Sequence, residues 1–283
     1  MTAGTLRRVF PSRHHGVTLA GLLVIVALAL AAVLAPWIVP GSPTEIARDH
    51  ALRAPTLGQP FGMDDLGRSM LSRVVHAYRV SLGVAVVSVA LALAAGVPLG
   101  LVAGYAEGML DQLILRPLDV LMSFPAILLA IALMSVFGTG VVLVAASLAV
   151  VYTPIVARVV RAAVLAAKVE VYVDGARALG APVRRVVLRH ILPNAATPVL
   201  VQASVLMAIA ILVEASLSFL GVGVRPPTPS LGLMLADGRG FMVQAPWMVI
   251  FPGLAIMAAV LGFNMVADGL RDWLDPQQAA GRS

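Results

Sequence analysis

The sequence predicts an all-α polytopic membrane protein with six transmembrane helices. Of its 283 residues, 60% are hydrophobic and 12% are charged, whereas a soluble domain is about half apolar and a quarter charged. A soluble fold of this length would expose large apolar patches and aggregate, but lipid accepts such a surface. The apolar residues also form uncharged runs as long as the ~20 residues that a spanning helix needs. Because a backbone in lipid must satisfy its hydrogen bonds internally, runs of this length indicate helices rather than barrel strands.

Uncharged runs along the chain place the spans. The run from Val120 to Ala157 is too long for one helix, and Gly138-Thr139-Gly140 near its middle favours a tight turn between two spans. The first run contains Ala27-Leu28-Ala29, a candidate signal-peptide cleavage site. That run is longer than a signal core of about 7–15 residues, which favours an uncleaved anchor. The predicted spans are residues 17–39, about 80–106, 118–137, 141–160, 198–220 and 247–268.

The distribution of Lys and Arg predicts which segments face the cytoplasm. Six spans put both termini on one side, and the basic residues are concentrated in the tails and in the loop before the fifth span. We therefore predict cytoplasmic tails at 1–16 and 271–283 and a cytoplasmic loop at 164–194. The extracytoplasmic loops are then 40–78 and about 221–246. The same pattern accounts for the formal charge of +6 without a nucleic-acid partner.

Several residue patterns that carry catalysis or bind cofactors are missing from the sequence. There is no cysteine, which excludes disulfides, thiolate zinc sites and cysteine nucleophiles. The single lysine, Lys168, has no glycine run before it, so the chain has no P-loop for ATP. The histidines show no metal-site spacing, and no G-x-S-x-G nucleophile motif is present. We therefore predict no metal site, no cofactor bound by this chain and no enzyme activity of its own.

The predicted cytoplasmic loop has the residue pattern of two short helices joined by a turn. Asp174 to Leu179 favours a first helix, and Gly180 can leave the helical region and end it. Pro182 suits the first turn of a second helix, which we expect to run to about His190. Pro193 is then expected to separate this helix from the fifth span. The product is a helix–turn–helix elbow under the membrane.

Residues of this elbow resemble the EAA motif of ABC-importer permeases. The pattern is Asp174-Gly175-Ala176, then Gly180, then Leu192-Pro193. Asp174 replaces the usual Glu, Gly175 replaces the first Ala, and His190 stands where Ile is usual. The resemblance implies that the elbow is a coupling helix, which docks on a separate ATPase subunit; the alternative is a basic loop that only satisfies topology. The residues it assigns to coupling are Asp174, Gly175, Ala176, Arg177, Ala178, Leu179, Gly180, Leu192 and Pro193.

Further segments, covering nearly the whole chain, are similar to the C-type permease subunit of dipeptide and oligopeptide importers. They are Phe61–Arg73, Tyr78–Leu82, Arg116–Asp119, Ser123–Pro125, Glu214–Gly221, Asp268–Asp272 and Asp275–Pro276. Ser69 departs from the family, where an acidic residue is more typical.

This resemblance implies the type I ABC-importer transmembrane fold, with its core at 79–270, in the bacterial inner membrane. The implied partners are a second, homologous permease, two ATP-binding subunits that carry ATP and Mg²⁺, and an extracytoplasmic substrate-binding protein. The implied mechanism is alternating access, and the implied cargo is di- or oligopeptides. Related permeases carry nickel complexes or glutathione, and these stay open as alternatives.

Charged residues near or within the spans need a reason, because charge in lipid is costly. Arg116 and Asp119 lie three residues apart at a predicted cytoplasmic helix end, as do Asp268 and Arg271, so we expect each pair to interact locally. Glu214 lies inside the fifth apolar run without a basic neighbour in sequence. It should face the bundle interior, a partner subunit or a water-filled pathway. A packing role and a pathway role both remain open.

Two other functional classes compete with the importer hypothesis. An ion-coupled secondary transporter would need a coupling-ion site at the midplane and usually a repeat of hydropathy, and the sequence shows no clear repeat. A membrane anchor or assembly factor would need no ATPase-docking elbow. Copurification with an ATPase separates these classes.

Overall fold

The described chain is helical almost throughout, as its long apolar runs predict. The computed structural model describes residues 11–39 and 41–274, and the strand-like pairings within them are the isolated bridges Thr56–Gln59 and Met63–Ser69. The tails predicted at 1–16 and 271–283 therefore lie largely outside the described residues. The helices are α1 (Pro11–Val33), α2 (Ala35–Ile38), α3 (Met70–Ala106), α4 (Gly108–Met122), α5 (Ala126–Phe137), α6 (Val141–Lys168), α7 (Val171–Ala178), α8 (Val183–Val186), α9 (Leu192–Phe219), α10 (Leu231–Gly238) and α11 (Trp247–Leu274).

The first two spans differ in length from their predictions. α1 ends at Val33 rather than near residue 39, and the short helix α2 follows it. α3 begins at Met70, about ten residues before the predicted start, because Ser69 caps it. The Ser69 Oγ accepts a hydrogen bond from the Ser72 amide at 3.4 Å, which satisfies one of the free amides of the first helical turn.

Close packing between α3 and α6 forms the centre of the bundle. Gly96, Gly100 and Gly104 recur once per turn of α3 and face successive positions of α6 in the same order, so the two helices run parallel. A Cβ built on Gly100 would overlap the carbonyl oxygen of Ala157 and lie 2.6 Å from the Cβ of Val160. Small residues at this spacing let two membrane helices approach closely.

The third crossing is a broken helix rather than the single span predicted at 118–137. α4 and α5 meet at an angle of 92° across a short break. Pro125 lies in this break and disfavours helical geometry at Phe124. The Ser123 hydroxyl donates a hydrogen bond to the carbonyl of Val120 at 2.7 Å, which satisfies one carbonyl at the end of α4.

The parallel course of α3 and α6 shows why this bent pair must cross the membrane. Each of these helices ends at the same end of the bundle, so the chain between them has to return to the other end. α5 has 12 residues and is about 18 Å long, which is short of the ~30 Å hydrocarbon layer. Among the described residues, five helices are long and apolar enough to span, and the bent pair makes the sixth crossing.

The first and last spans pack on each other. α1 lies antiparallel to α11, since Gly21 of α1 faces Met265, whereas Thr18 faces Gly269 further along. α1 is the least buried of the candidate spans. Most of its surface is therefore free to contact lipid or another subunit.

Candidate functional site

The first helix of the elbow, α7, ends at Ala178, one residue before the predicted end, and begins earlier than predicted, at Val171. Gly180 has a positive φ of 77°. Its amide donates to the carbonyl of Arg177 at 2.9 Å, and the Ala181 amide donates to the carbonyl of Ala176 at 3.1 Å. These two bonds form a Schellman motif, which closes a helix and favours glycine at this position.

The second helix of the elbow does not stop at Pro193, contrary to prediction. Helical backbone continues from Val183 through a π turn at Val187–Ile191 into α9. In this turn the Leu192 amide donates to the carbonyl of Val187, five residues back. Since Pro193 has no amide hydrogen to donate, the helix widens rather than breaks. The second helix of the elbow, α8, is therefore continuous with the fifth span.

Buried side chains fix the elbow against the bundle. Val173 of α7 and Val186 of α8 are fully buried and belong to the main apolar core. The Asn194 amide donates to the Tyr172 hydroxyl at 2.8 Å and to the carbonyl of His190 at 2.7 Å. His190 stands where the EAA pattern has Ile, and its ring lies beside that of Tyr172 at 6.4 Å between centroids.

The outer surface of the elbow carries exposed apolar side chains. Leu179 is 90% exposed and Val171 is 86% exposed. With Val169 and Val183, which are also exposed, they form what we call the elbow patch. Asp174, also in α7, is largely exposed and pairs with Arg177 at 3.4 Å. A soluble surface seldom leaves such a group of apolar residues uncovered unless a partner binds there.

A cluster around Tyr105 joins α7 to the ends of α3 and α6. The Lys168 Nζ lies 5.2 Å from the centre of the Tyr105 ring, and the Arg177 Cζ lies 5.7 Å from it. The Lys168 Nζ also donates to the Tyr105 carbonyl and to the Glu107 carboxylate, both at 2.8 Å. The last turn of α3 therefore contacts both the end of α6 and the elbow.

Glu214 lies in the bundle interior, fully buried between α9 and α3. Its two oxygens accept hydrogen bonds from the Ser81 hydroxyl at 2.7 Å and the Ser218 hydroxyl at 2.9 Å. No cation pairs with Glu214 in the described part of the chain. The sequence left three environments open for Glu214, and the structure places it in the bundle interior. A role of Glu214 in transport stays a prediction.

The predicted local pair Arg116–Asp119 does not form. Asp119 pairs with Arg158 of α6 at 2.6 Å, whereas Arg116 donates to Gln112 at 3.1 Å. The reason is that α4 lies against α6, which brings an arginine from another helix closer. Both partners of the Arg158 pair are about half exposed, so the pair contributes little stability.

The second predicted pair is also absent from the described residues. No ion pair joins Asp268 to Arg271, although both side chains line one cavity beside Thr18 at the junction of α1 and α11. A spacing of three residues permits contact between side chains on a helix. Here the side chains of Asp268 and Arg271 instead line the cavity without pairing with each other. Neither of the two predicted local ion pairs therefore forms among the described residues.

An ion cluster ties the loop 41–69 to α3 and α10 at the opposite end of the bundle. Asp64 is fully buried and accepts hydrogen bonds from the Arg73 Nη1 at 2.5 Å and the Arg68 Nε at 2.6 Å. Arg73 also donates to Asp237 of α10 at 3.3 Å. Burial raises the pKa of the Asp237 carboxyl above its usual range, and the charge of Arg73 opposes this only in part.

Comparison with known proteins identifies the family. Residues 96–279 match the family described as the binding-protein-dependent transport system inner membrane component. The chain belongs to this family. Residues 13–55 also match the N-terminal TM domain of oligopeptide transport permease C. The resemblance first seen in the elbow and the flanking segments is thereby confirmed, and the permease is a multi-pass protein of the inner membrane.

Individual relatives cover nearly the full length of the permease. It is 42% identical to a dipeptide transport system permease protein of Alkalihalophilus pseudofirmus, over 94% of this chain and 87% of that protein. It is 40% identical to a di/tripeptide transport system permease protein of Pseudomonas aeruginosa, over 93% and 89%. A glutathione transport system permease protein of Escherichia coli is 42% identical over 95% and 89%.

Sequence reasoning missed the polar contacts that hold the permease together across helices. Asp64 and Arg73 lie inside a segment quoted for its resemblance, but no spacing rule pairs them. Asp111 and Arg161 form a two-pronged pair at 2.7 and 2.6 Å between α4 and α6. The sequence feature that pointed to such pairs was the charge of each residue, because a charged residue near a span needs a partner of opposite charge.

Proposed function

We propose that the permease forms half of the pathway by which small peptides cross the inner membrane, driven by separate ATPase subunits. A homologous second permease would form the other half, and an extracytoplasmic binding protein would deliver the peptide. Two ATP-binding subunits would hold ATP and Mg²⁺, while this chain would bind neither and hydrolyse nothing itself. Both termini and the elbow would face the cytoplasm. Its other contacts would be with membrane lipid and not with nucleic acid.

The elbow patch is the observation that carries this proposal. Its side chains project from a folded, anchored element, so they are held in position for a partner rather than free to collapse. Burying one Leu or Val side chain contributes about 1.5–3 kcal/mol, and several together support a specific dock. Because α8 continues into α9, a force applied at the elbow would reach the fifth span without a flexible linker.

Small peptides are the cargo that the relatives favour. The relatives are named for dipeptide, di/tripeptide and glutathione transport at nearly equal identity, and all three names describe short peptides. Family membership also favours an ATPase-driven importer over an ion-coupled secondary transporter or a membrane anchor. Nickel complexes are tested as an alternative cargo in the uptake experiment described below.

Docking is tested with Leu179→Asp, which places a charge on the most exposed side chain of the elbow patch. Leu57→Asp is a matched control, because Leu57 is the same residue, fully exposed, in the loop at the other end of the bundle. The variants are coexpressed with their co-encoded neighbours and purified by a tag on the permease. We expect Leu179→Asp to lose at least ten-fold in copurified ATPase and Leu57→Asp to retain it. Retention by both variants would overturn the docking assignment.

Orientation and cargo have separate measurements. Since the chain has no cysteine, single cysteines at Leu57 and Leu179 can be labelled with an impermeant maleimide in intact cells. We expect label at Leu57 only. Label at Leu179 would contradict the predicted topology.

Uptake of a labelled dipeptide, of glutathione and of nickel, measured in cells that lack other carriers, then identifies the cargo. Uptake of nickel alone would refute a peptide substrate.

A further inference from the structure

The cluster around Tyr105 connects the elbow to a span other than α9. Tyr105 is the penultimate residue of α3, and its ring lies within 6 Å of the charged groups of Lys168 and Arg177. Arg177 belongs to α7 and pairs with Asp174 of the elbow motif. Aromatic faces attract cations at these distances, so the ring holds α7 against the end of α3.

α3 is the helix best placed to pass movement on to the rest of the bundle. It packs on α6 at Gly96, Gly100 and Gly104, where the two backbones approach too closely to leave room for a Cβ. Near its other end, Ser81 binds Glu214 of α9 and Tyr78 binds the carbonyl of Ala255 in α11. A displacement at Tyr105 therefore reaches three other spans through direct contacts.

We infer that Tyr105 is a positioning residue that transmits elbow movement to α3, through its aromatic contact with Arg177. This inference rests on the proposed function, because it assumes an ATPase that moves the elbow. The elbow then has two outputs. One is α9, through the continuous backbone, and the other is α3, through Tyr105. Loss of the second output would let ATP hydrolysis proceed while the spans respond incompletely.

The chain offers a conservative variant that separates this role from simple packing. In the described part of the chain, the Tyr105 hydroxyl has no hydrogen-bond partner, so Tyr105→Phe keeps the ring and its attraction for cations. Tyr105→Leu keeps an apolar side chain but removes both cation contacts. Arg177→Met is an independent variant, which removes the charge and keeps the unbranched stem.

The test uses the whole complex in proteoliposomes, with the co-encoded permease, ATPase subunits and binding protein. Three quantities are measured: copurified ATPase, ATP hydrolysis stimulated by binding protein, and labelled dipeptide taken up per ATP hydrolysed. For Tyr105→Leu we expect normal copurification and a dipeptide-to-ATP ratio lowered about five-fold, on the order of one or two partly exposed cation–π contacts. Tyr105→Phe should stay within about two-fold of the unchanged chain.

Each outcome decides the matter. A normal ratio for Tyr105→Leu, or equal loss for Tyr105→Phe, would overturn the inference, and so would loss of the ATPase from Tyr105→Leu. If the Tyr105→Leu permease itself cannot be recovered as a folded protein, Arg177→Met must lower the ratio, and a normal ratio there would refute the contact. The double variant should be no worse than Tyr105→Leu, because residues acting through one contact are not additive. Failure of the proposed function is distinguished by Leu179→Asp, which would then retain its ATPase.

Discussion

Replacing Asp64 by Ala should loosen the loop 41–69 from the bundle. Asp64 accepts four hydrogen bonds: from the amides of Leu66 and Arg68, and from the side chains of Arg68 and Arg73. Its loss leaves the Arg73 side chain, which is 3% exposed, without its closest anion. Removing one partner of a buried pair costs about 3–5 kcal/mol. Because Asp237 lies 3.3 Å from Arg73 and can partly replace the lost charge, we expect about 3 kcal/mol.

Native-state hydrogen exchange measures this loss directly, as a fall in the free energy of local opening for the loop 41–69. Asp237→Asn is the matched control. The folded-state pKa of Asp237 is raised by burial, so its contribution to stability is present below the unfolded pKa and is lost as pH rises through the folded pKa. At a pH above the folded pKa no such stabilisation is left to remove, and there we expect a change within about 0.5 kcal/mol. Unchanged exchange in Asp64→Ala, or an equal loss in Asp237→Asn, would refute the reasoning.

Two further predictions concern the spans. Glu214→Ala should destabilise the purified complex, because the hydroxyls of Ser81 and Ser218 lose their acceptor at a cost of about 1–3 kcal/mol each. Glu214→Gln should keep both assembly and uptake. Loss of uptake by an intact Glu214→Gln complex would instead assign Glu214 to the pathway. Gly100→Leu should abolish stable assembly, since overpacking costs about 1–3 kcal/mol or more, while Gly83→Leu, where a Cβ meets nothing within 4 Å, should be tolerated in a thermal-stability assay.

The sequence was sufficient where one local rule decides the structure. Long uncharged runs placed the spans, because lipid penalises charge wherever it occurs. Gly180 ended its helix because only a residue that tolerates positive φ closes a Schellman motif without strain. Pro193 shows the limit of such rules. Its missing amide predicts a break, but a π turn next to it keeps the helix continuous.

Contacts between helices could not be read from spacing along the chain. Asp119 has an arginine three residues before it, and yet its partner is Arg158 on another helix. α4 packs against α6, and this packing brings Arg158 to Asp119. Local spacing shows which residues can meet on one helix. It does not show whether a neighbouring helix brings a closer partner.

The packing of α3 limits where the permease can change shape. At Gly100 the backbones of α3 and α6 approach too closely to leave room for a Cβ, and we expect this closely packed pair to move as one body. The loop end of this body is held by Asp64 and Arg73, and its elbow end by the contacts of Tyr105. Cores with close-packed contacts switch between discrete arrangements rather than deform continuously. On the proposed function, alternating access therefore requires movement at joints outside the pair, and the break at Pro125, where α4 and α5 meet at 92°, is one such joint.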